Sequence, residues 1–311
     1  MVITKEQLHE RANYLGGSDS AAILGLSKWK TPLMVFMAKV FPNPDNTENT
    51  IGGKNEAAYW GSELEDIVAK NFQKLTGKRV QRVNKTLVHP QHKFICANLD
   101  RTIVGEDALL EVKTCSAYKA EEWEGDNIPM EYVVQVQHYL AVTGEAGAYF
   151  ACLIGGQRFV WKYVPRDEEL IKTIIDALVD FWTRFVIPKT PPVATGADRD
   201  TDLLGQMYPV AGEGTSITLP DVDEVLLDQM KELEDQIDLK KERVDEIKNQ
   251  IRQEMQDNET ALAGKYIVTW KNQSRTSIDS KALKEKFPAI YETVARTTTS
   301  RAFRTAVKKE K

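Results

Sequence analysis

The sequence predicts a mixed α/β fold followed by a long C-terminal helix. Three observations carry this. Two β-rich runs, Phe94–Asp100 and Ala108–Lys113, flank the turn chemistry of Gly105-Glu106-Asp107. A second pair, Ala148–Ile154 and Arg158–Val164, flanks Gly155-Gly156. Helical patterns precede, separate and follow these pairs. The last of them keeps apolar residues at 3–4 spacing for about 35 residues after Pro220.

Composition sets the bounds. The chain has 311 residues, 42% of them hydrophobic, enough for a packed core. Its first residues, Met1-Val-Ile-Thr-Lys-Glu, have no apolar signal region, and no stretch approaches 18 apolar residues. A soluble, non-membrane, cytoplasmic protein is expected. Cys96, Cys115 and Cys152 form no C-x-x-C pair, which predicts reduced thiols and excludes a four-cysteine cluster. The histidines at 9, 89, 92 and 138 make no zinc pattern. Charge is unevenly spread: residues 221–259 carry 6 basic and 14 acidic side chains, and residues 260–311 carry 12 basic and 4 acidic. A basic tail after an acidic helix suits either nucleic acid or that helix.

Taken in order, Thr4-Lys-Glu-Gln7 resembles a capping box that opens a helix through about Leu15. Gly16-Gly17 stops it, Ser18-Asp19 caps a helix from Ser20 to about Leu24, and Thr31-Pro32 opens another. Glycines leading into a helix N-terminus create an anion site, to which Arg11 and the Ser18 hydroxyl are candidate donors. An ordinary helical corner with a surface arginine fits the same residues.

Residues 57–76 read as a helix ended by Gly77. At 100° per residue, Gly61, Glu65, Val68 and Phe72 share one stripe. Glu65 therefore points with the apolar face and needs a lysine, an arginine or a metal as partner. Glu63 and Asp66 point toward solvent.

The 94–113 hairpin concentrates the chemistry. With Gly105-Glu106 as a two-residue loop, Val104 pairs with Asp107 and Asp100 falls opposite Glu111. Directly opposed Cβ atoms lie about 5 Å apart, so the two carboxylates repel. A hard divalent cation relieves that conflict. Lys113, two residues after Glu111, projects from the same strand face. An Asp…Glu-x-Lys pattern also arises by chance in solvated strands.

Beyond the hairpin, Trp123–Pro129 reads as a loop. Met130–Val142 reads as a helix with Gln135 and Tyr139 one turn apart. A helix from Asp167 to about Phe185 follows the second hairpin. Pro188–Pro220 is rich in Pro, Gly, Asp and Thr, and reads as a linker or extended arm. Leu226, Met230, Leu233, Ile237, Val244, Ile247 and Ile251 mark a coiled-coil-like helix with Lys240 interrupting the seam. It packs on the core or on a copy of itself, or recruits a partner. Residues 264–278 read as a hairpin followed by a short helix from Asp279. The tail Arg296…Arg301-Ala-Phe-Arg304 mixes basic and aromatic residues.

In this order, Gly-Gly-Ser18-Asp19, Trp60-Gly-Ser-Glu63-Leu-Glu65, Asp100…Glu111-Val-Lys113 and Gln135-x-x-x-Tyr139 resemble the PD-(D/E)xK nuclease superfamily. More closely they are similar to YqaJ-type viral recombinases, its lambda-exonuclease-like branch. The resemblance covers roughly residues 8–190. Leu99 stands where the family pattern has proline.

The resemblance implies a restriction-endonuclease-like core, a mixed sheet flanked by helices, over residues 1–195. A linker at 196–220, the acidic helix at 221–259 and a basic module at 260–311 follow. It implies Mg²⁺ or Mn²⁺, one or two ions, on Asp100, Glu111, Glu65 and the Val112 carbonyl. Lys113 then orients or activates water, and Gln135 and Tyr139 brace the site or the DNA backbone. Arg11 and Ser18 hold a 5′-phosphate. The implied activity is a 5′→3′ exonuclease on linear double-stranded DNA that leaves 3′ overhangs for a single-strand annealing recombinase. A homo-oligomer, trimeric by analogy, is also implied. The alternatives are a metal-dependent endonuclease of the same superfamily and a non-catalytic DNA-binding or assembly module.

Overall fold

A computed structural model of the chain describes residues 10–42, 56–297 and 300–306. It divides into two units, Met1–Met207 and Tyr208–Lys311. The predicted helix from Thr4 falls largely outside the described residues. Its expected end at Leu15 is instead an isolated parallel bridge to Ile95.

The first unit opens with α1 (Gly17–Ile23) and α2 (Pro32–Val40). Helix α1 starts earlier than predicted. Gly16 is the N-cap, and Asp19 sits inside the first turn, accepting the Gly16 N–H at 3.1 Å. Thr31 caps α2 as expected, its hydroxyl accepting from the Met34 N–H, with Pro32 in the first turn. Helix α3 (Glu56–Thr76) ends where Gly77 adopts φ +72°, a conformation that favours glycine.

Five strands form the main sheet: β1 (Val80–Arg82), β4 (Arg101–Ile103), β5 (Ala108–Cys115), β6 (Gly147–Ile154) and β7 (Arg158–Pro165), in the order β1-β4-β5-β6-β7. Only β5 and β6 run parallel, and α4 (Met130–Thr143) supplies the crossover that parallel pairing requires. The predicted mixed sheet flanked by helices is thus present.

The hairpin register is the predicted one. Arg101 pairs with Leu110 and Thr102 with Leu109, which sets Asp100 opposite Glu111. The strand preceding it is not. Cys96–Ala97 (β3) leaves the main sheet to pair with Leu87–Val88 (β2), so the hairpin's first strand begins only after Asp100.

Strand alternation divides the core between two faces. Leu110, Val112 and Ile103 pack with Val68, Ala69 and Phe72 of α3. Leu109, Phe150 and Cys152 pack with the layer built from α1, α2, α4 and α5 (Glu168–Phe181). Covered on both faces, β6 is an almost unbroken buried apolar run. Helix α5 stops short of the expected Phe185, because Trp182–Val186 widens into a π-turn. Within the stretch predicted as a linker, Asp198–Met207 forms α6. Asp200 on it is buried, accepting from Thr195 N–H at 2.6 Å and from the Thr31 hydroxyl at 2.5 Å. These bonds tie the segment to α2, a tether that composition does not reveal.

The second unit contains α7 (Asp221–Met255), 35 residues long. A hairpin of β8 (Thr260–Ala263) and β9 (Tyr266–Thr269) follows, turning at Gly264 (φ +55°). It lies upstream of the predicted 264–278 segment, because Tyr266–Thr269 is its second strand. Asp279 caps α8 (Ser280–Lys286) as expected, and α9 (Pro288–Val294) comes next. Among the described residues no helix is long and apolar enough to cross a membrane.

Candidate active site

The site forms where β4 enters the sheet beside β5. Residues 109, 111 and 113 share the β5 face that looks toward α4. Glu111 is buried, and its Oε1 accepts from Lys113 Nζ at 2.6 Å and from Gln135 Nε2 at 2.8 Å. Lys113 Nζ also donates to Gln135 Oε1 at 3.0 Å, and Gln135 Nε2 reaches the Tyr139 hydroxyl at 2.8 Å. The one-turn spacing of Gln135 and Tyr139 on α4 makes this chain possible. Lys113 Nζ additionally lies 4.6 Å from the Tyr132 ring centroid.

Asp100 caps the strand pair. Its Oδ2 accepts the Val112 N–H at 2.8 Å. Burial first, then the negative charges of Glu111 and Glu65, push the Asp100 carboxyl well above the usual range. Burial pulls the Lys113 ammonium down, but Glu111 and Asp100 outweigh it and the net shift is upward. Lys113 is therefore a fixed cation. Burial, and then Glu111, hold the Tyr139 phenol well above its ordinary value, so it stays protonated.

Glu65 is close enough to bias Asp100, yet its carboxylate is engaged elsewhere. Arg101 Nη1 donates to Glu65 Oε1 at 2.5 Å and to the Asp100 backbone carbonyl at 2.5 Å, while Nη2 contacts Asp66. Alternation is the reason. Asp100 belongs to the α4 side of the sheet, and the next residue, Arg101, turns toward α3. The inward acid thus takes an arginine, one of the three partners its sequence position allows. Asp66, read as solvated, is exposed but ion-paired with Arg101 and with Arg82 at 2.7 Å. In this side-chain arrangement no three His, Cys, Asp or Glu groups among the described residues stand at ion-holding geometry. Two protein cations, Lys113 and Arg101, supply the counter-charge.

Behind Gln135 and Tyr139 lies a second polar centre that sequence reasoning missed. Asp19, buried, receives Lys30 Nζ at 2.5 Å and Lys39 Nζ at 2.8 Å. Burial raises its carboxyl, but the two ammonium groups more than reverse this and hold it far below the ordinary value. Lys39 Nζ also donates to the Arg11 carbonyl at 2.8 Å. The positive charge of Arg11 is felt by both Lys39 and Tyr139, which places Arg11 beside the site. Ser18 is exposed on the first turn of α1. The signal for Asp19 was its Gly-Gly-Ser-Asp setting, read as a cap and as part of the family motif, with no role given to the carboxylate itself.

His138 was also missed. Its Nε2 sits 2.9 Å from the Cys96 carbonyl, which can only accept, so Nε2 carries the hydrogen. Nδ1 then accepts from the Ser20 hydroxyl at 2.7 Å. Burial lowers the ring's pKa to about 4, so it is a neutral strut joining α1, α4 and β3. Gly17 completes the packing: a Cβ there would lie 2.5 Å from Tyr139 Cε1.

Together these features define a class, a mixed α/β domain that presents a carboxylate pair, a fixed lysine and a bracing amide at the mouth of an antiparallel strand pair. Residues 6–146 match the family described as the YqaJ-like viral recombinase domain. The uncharacterised protein YqaJ of Bacillus subtilis (strain 168) is 43% identical over 300 residues, spanning 96% of this chain and 92% of that protein. The chain belongs to the YqaJ-like viral recombinase family. Among solved structures, an alkaline exonuclease from Laribacter hongkongensis is 19% identical and aligns with 67% of this chain and 100% of its own, at a TM-score of 0.48. A phage-related exonuclease from Haemophilus somnus 129PT is 15% identical, with 62% and 96% covered and a TM-score of 0.42.

Proposed function

We propose that the protein is a metal-dependent exonuclease that degrades linear double-stranded DNA in the 5′→3′ direction. The observation that carries this reading is the opposition of Asp100 and Glu111 across β4–β5, with Lys113 bonded to Glu111. The negative charge of Glu111 raises the proton affinity of buried Asp100, and a divalent cation is the natural relief. The donor set fits a hard ion such as Mg²⁺ or Mn²⁺. Asp100 and Glu111 would hold it, with the Val112 carbonyl and Glu65 as further oxygen donors.

A bound divalent ion supplies Lewis-acid stabilisation of the phosphoryl oxygens and eases deprotonation of water. The chain's own residues do the rest. Lys113, kept charged by its carboxylates, orients the attacking water and offsets charge developing on the phosphate. Gln135 fixes both Glu111 and Lys113. Protonated Tyr139 offers its hydroxyl hydrogen toward the DNA backbone. Arg11 and Ser18 take the 5′-phosphate and so set polarity, and the 3′ overhang left behind is a substrate for a single-strand annealing recombinase.

The test is a time course on end-labelled linear duplex with Mg²⁺. The parent shortens 5′ ends, spares closed circles, and prefers 5′-phosphate to 5′-hydroxyl ends. Glu111→Ala and Lys113→Ala each lower the rate at least 10²-fold, on the order of one lost electrostatic contact. Undiminished cleavage by either variant would sink the assignment, and cutting of closed circles would indicate an endonuclease instead. Arg11→Ala abolishes the end preference while sparing cleavage itself. If the preference persists in Arg11→Ala, the phosphate is held elsewhere.

A further inference from the structure

We propose that α7 pairs with the α7 of a second copy of this chain, in antiparallel orientation. From Leu226 to Ile251 the seam advances in alternating steps of four and three, the heptad pattern of paired helices. The seam spans about 38 Å at 1.5 Å per residue. Leu226, Leu233, Ile237, Val244 and Ile247 on it are between 42% and 58% exposed. A long apolar stripe of this kind on a helix rimmed with charge is built to be covered.

Charge and register select the partner and its direction. Lys240 is the one seam position that is not apolar. In a parallel, in-register pair it would face the partner's Lys240, and Arg243 would flank the partner's Lys248. Both contacts set like charges together. Antiparallel pairing removes both conflicts. Leu226 then layers against the partner's Ile251, Met230 against the partner's Ile247, and Leu233 against the partner's Val244. Lys240 falls opposite the partner's Ile237, where its methylene stem covers apolar surface and its ammonium reaches water. Glu234 comes to lie beside the partner's Lys241, an opposite-charge pair. A sequence complementary to its own reverse is the property expected of a self-pairing helix.

The test uses full-length chains carrying Leu226→Cys or Ile251→Cys, distinguished by a mass tag and co-expressed. The parent, with its three native cysteines, is the background control. Under oxidation the mixed pair forms a disulfide-linked dimer at several-fold the yield of either variant alone. A cross-link formed by Leu226→Cys with itself means parallel pairing and overturns the proposal. Absence of any cross-link leaves the seam to the chain's own core or to another protein, and overturns it equally. Sedimentation gives an independent reading. Ile237→Asp combined with Val244→Asp halves the mass of the assembly or more, while cleavage of linear DNA, whose site lies in the other unit, persists. An unchanged mass overturns the proposal as well.

Discussion

Asp100 concentrates the tension of the site in one carboxyl group. Its raised pKa means that the folded protein binds this proton more tightly than the unfolded chain does. Linkage then fixes the sign: the contribution to stability is full at pH values below the ordinary carboxylate range of about 4, and is lost as pH rises through the raised value. Asp100→Asn keeps an oxygen for the Val112 N–H and deletes the charge. In the presence of chelator it should stabilise the protein by roughly 1 kcal/mol at pH 8, raising Tm by about 2–4 °C. The gain should shrink as pH falls and Asp100 of the parent becomes protonated. The same variant should lose cleavage. Melting curves across pH check this, and a Tm lowered at every pH would show that the charge is not a source of strain. Sequence spacing made the Asp100–Glu111 opposition legible, because period-two geometry and a glycine turn fix the register. The hold of Arg101 on Glu65 was not legible. Its only trace is an arginine directly after Asp100, on the opposite strand face.

At the scale of elements, the site depends on how closely α1 approaches α4. The Gly17 Cα position admits no side chain, since a Cβ would meet Tyr139 at 2.5 Å and Gln135 Cγ at 3.0 Å. Gly17→Ala should therefore destabilise by about 1–3 kcal/mol through overpacking. Cleavage should also fall, because the displaced residues brace Glu111 and Lys113. Gly61 in α3 is the contrasting case. Its nearest neighbour is Thr114 Oγ1 at 3.6 Å, ordinary contact, so Gly61→Ala should gain roughly 0.5–1 kcal/mol of helix stability. Urea denaturation of the pair checks both, and equal effects of the two substitutions would refute the packing argument. Most of the elements of the first unit could be read from periodicity and caps. The exceptions were β1 and β2, short strands that the sequence reading left unassigned, β3, drawn out of the main sheet by pairing with β2, and α6, fastened by the bonds of Asp200. All are tertiary choices with no strong local signature.

Across the whole chain, burial is distributed very unequally. Both apolar clusters lie within the first unit, and Met255 is the one hydrophobic residue assigned as buried among the described residues of the second. A fragment ending at Met207 should thus fold cooperatively and retain the proposed cleavage of linear DNA. A fragment from Tyr208 onward should be helical without a sharp thermal transition. Calorimetry of the two fragments checks this, and a cooperative melt of the second alone would contradict it. Sequence composition separated these regions by charge and periodicity. The division at Met207 falls after α6, a stretch that reads as polar linker until Asp200 is seen accepting from the Thr31 hydroxyl.

The guanidinium of Arg101 has one more consequence. It already pairs with Glu65, so in the proposed metal-bound state that helix carboxylate would exchange one positive partner for another. The ion's apparent affinity then reports a difference between two partners of the same oxygen. In the proposed enzyme the guanidinium would act as a tethered competitor for that oxygen, and it would hold the carboxylate in reserve whenever no ion is bound.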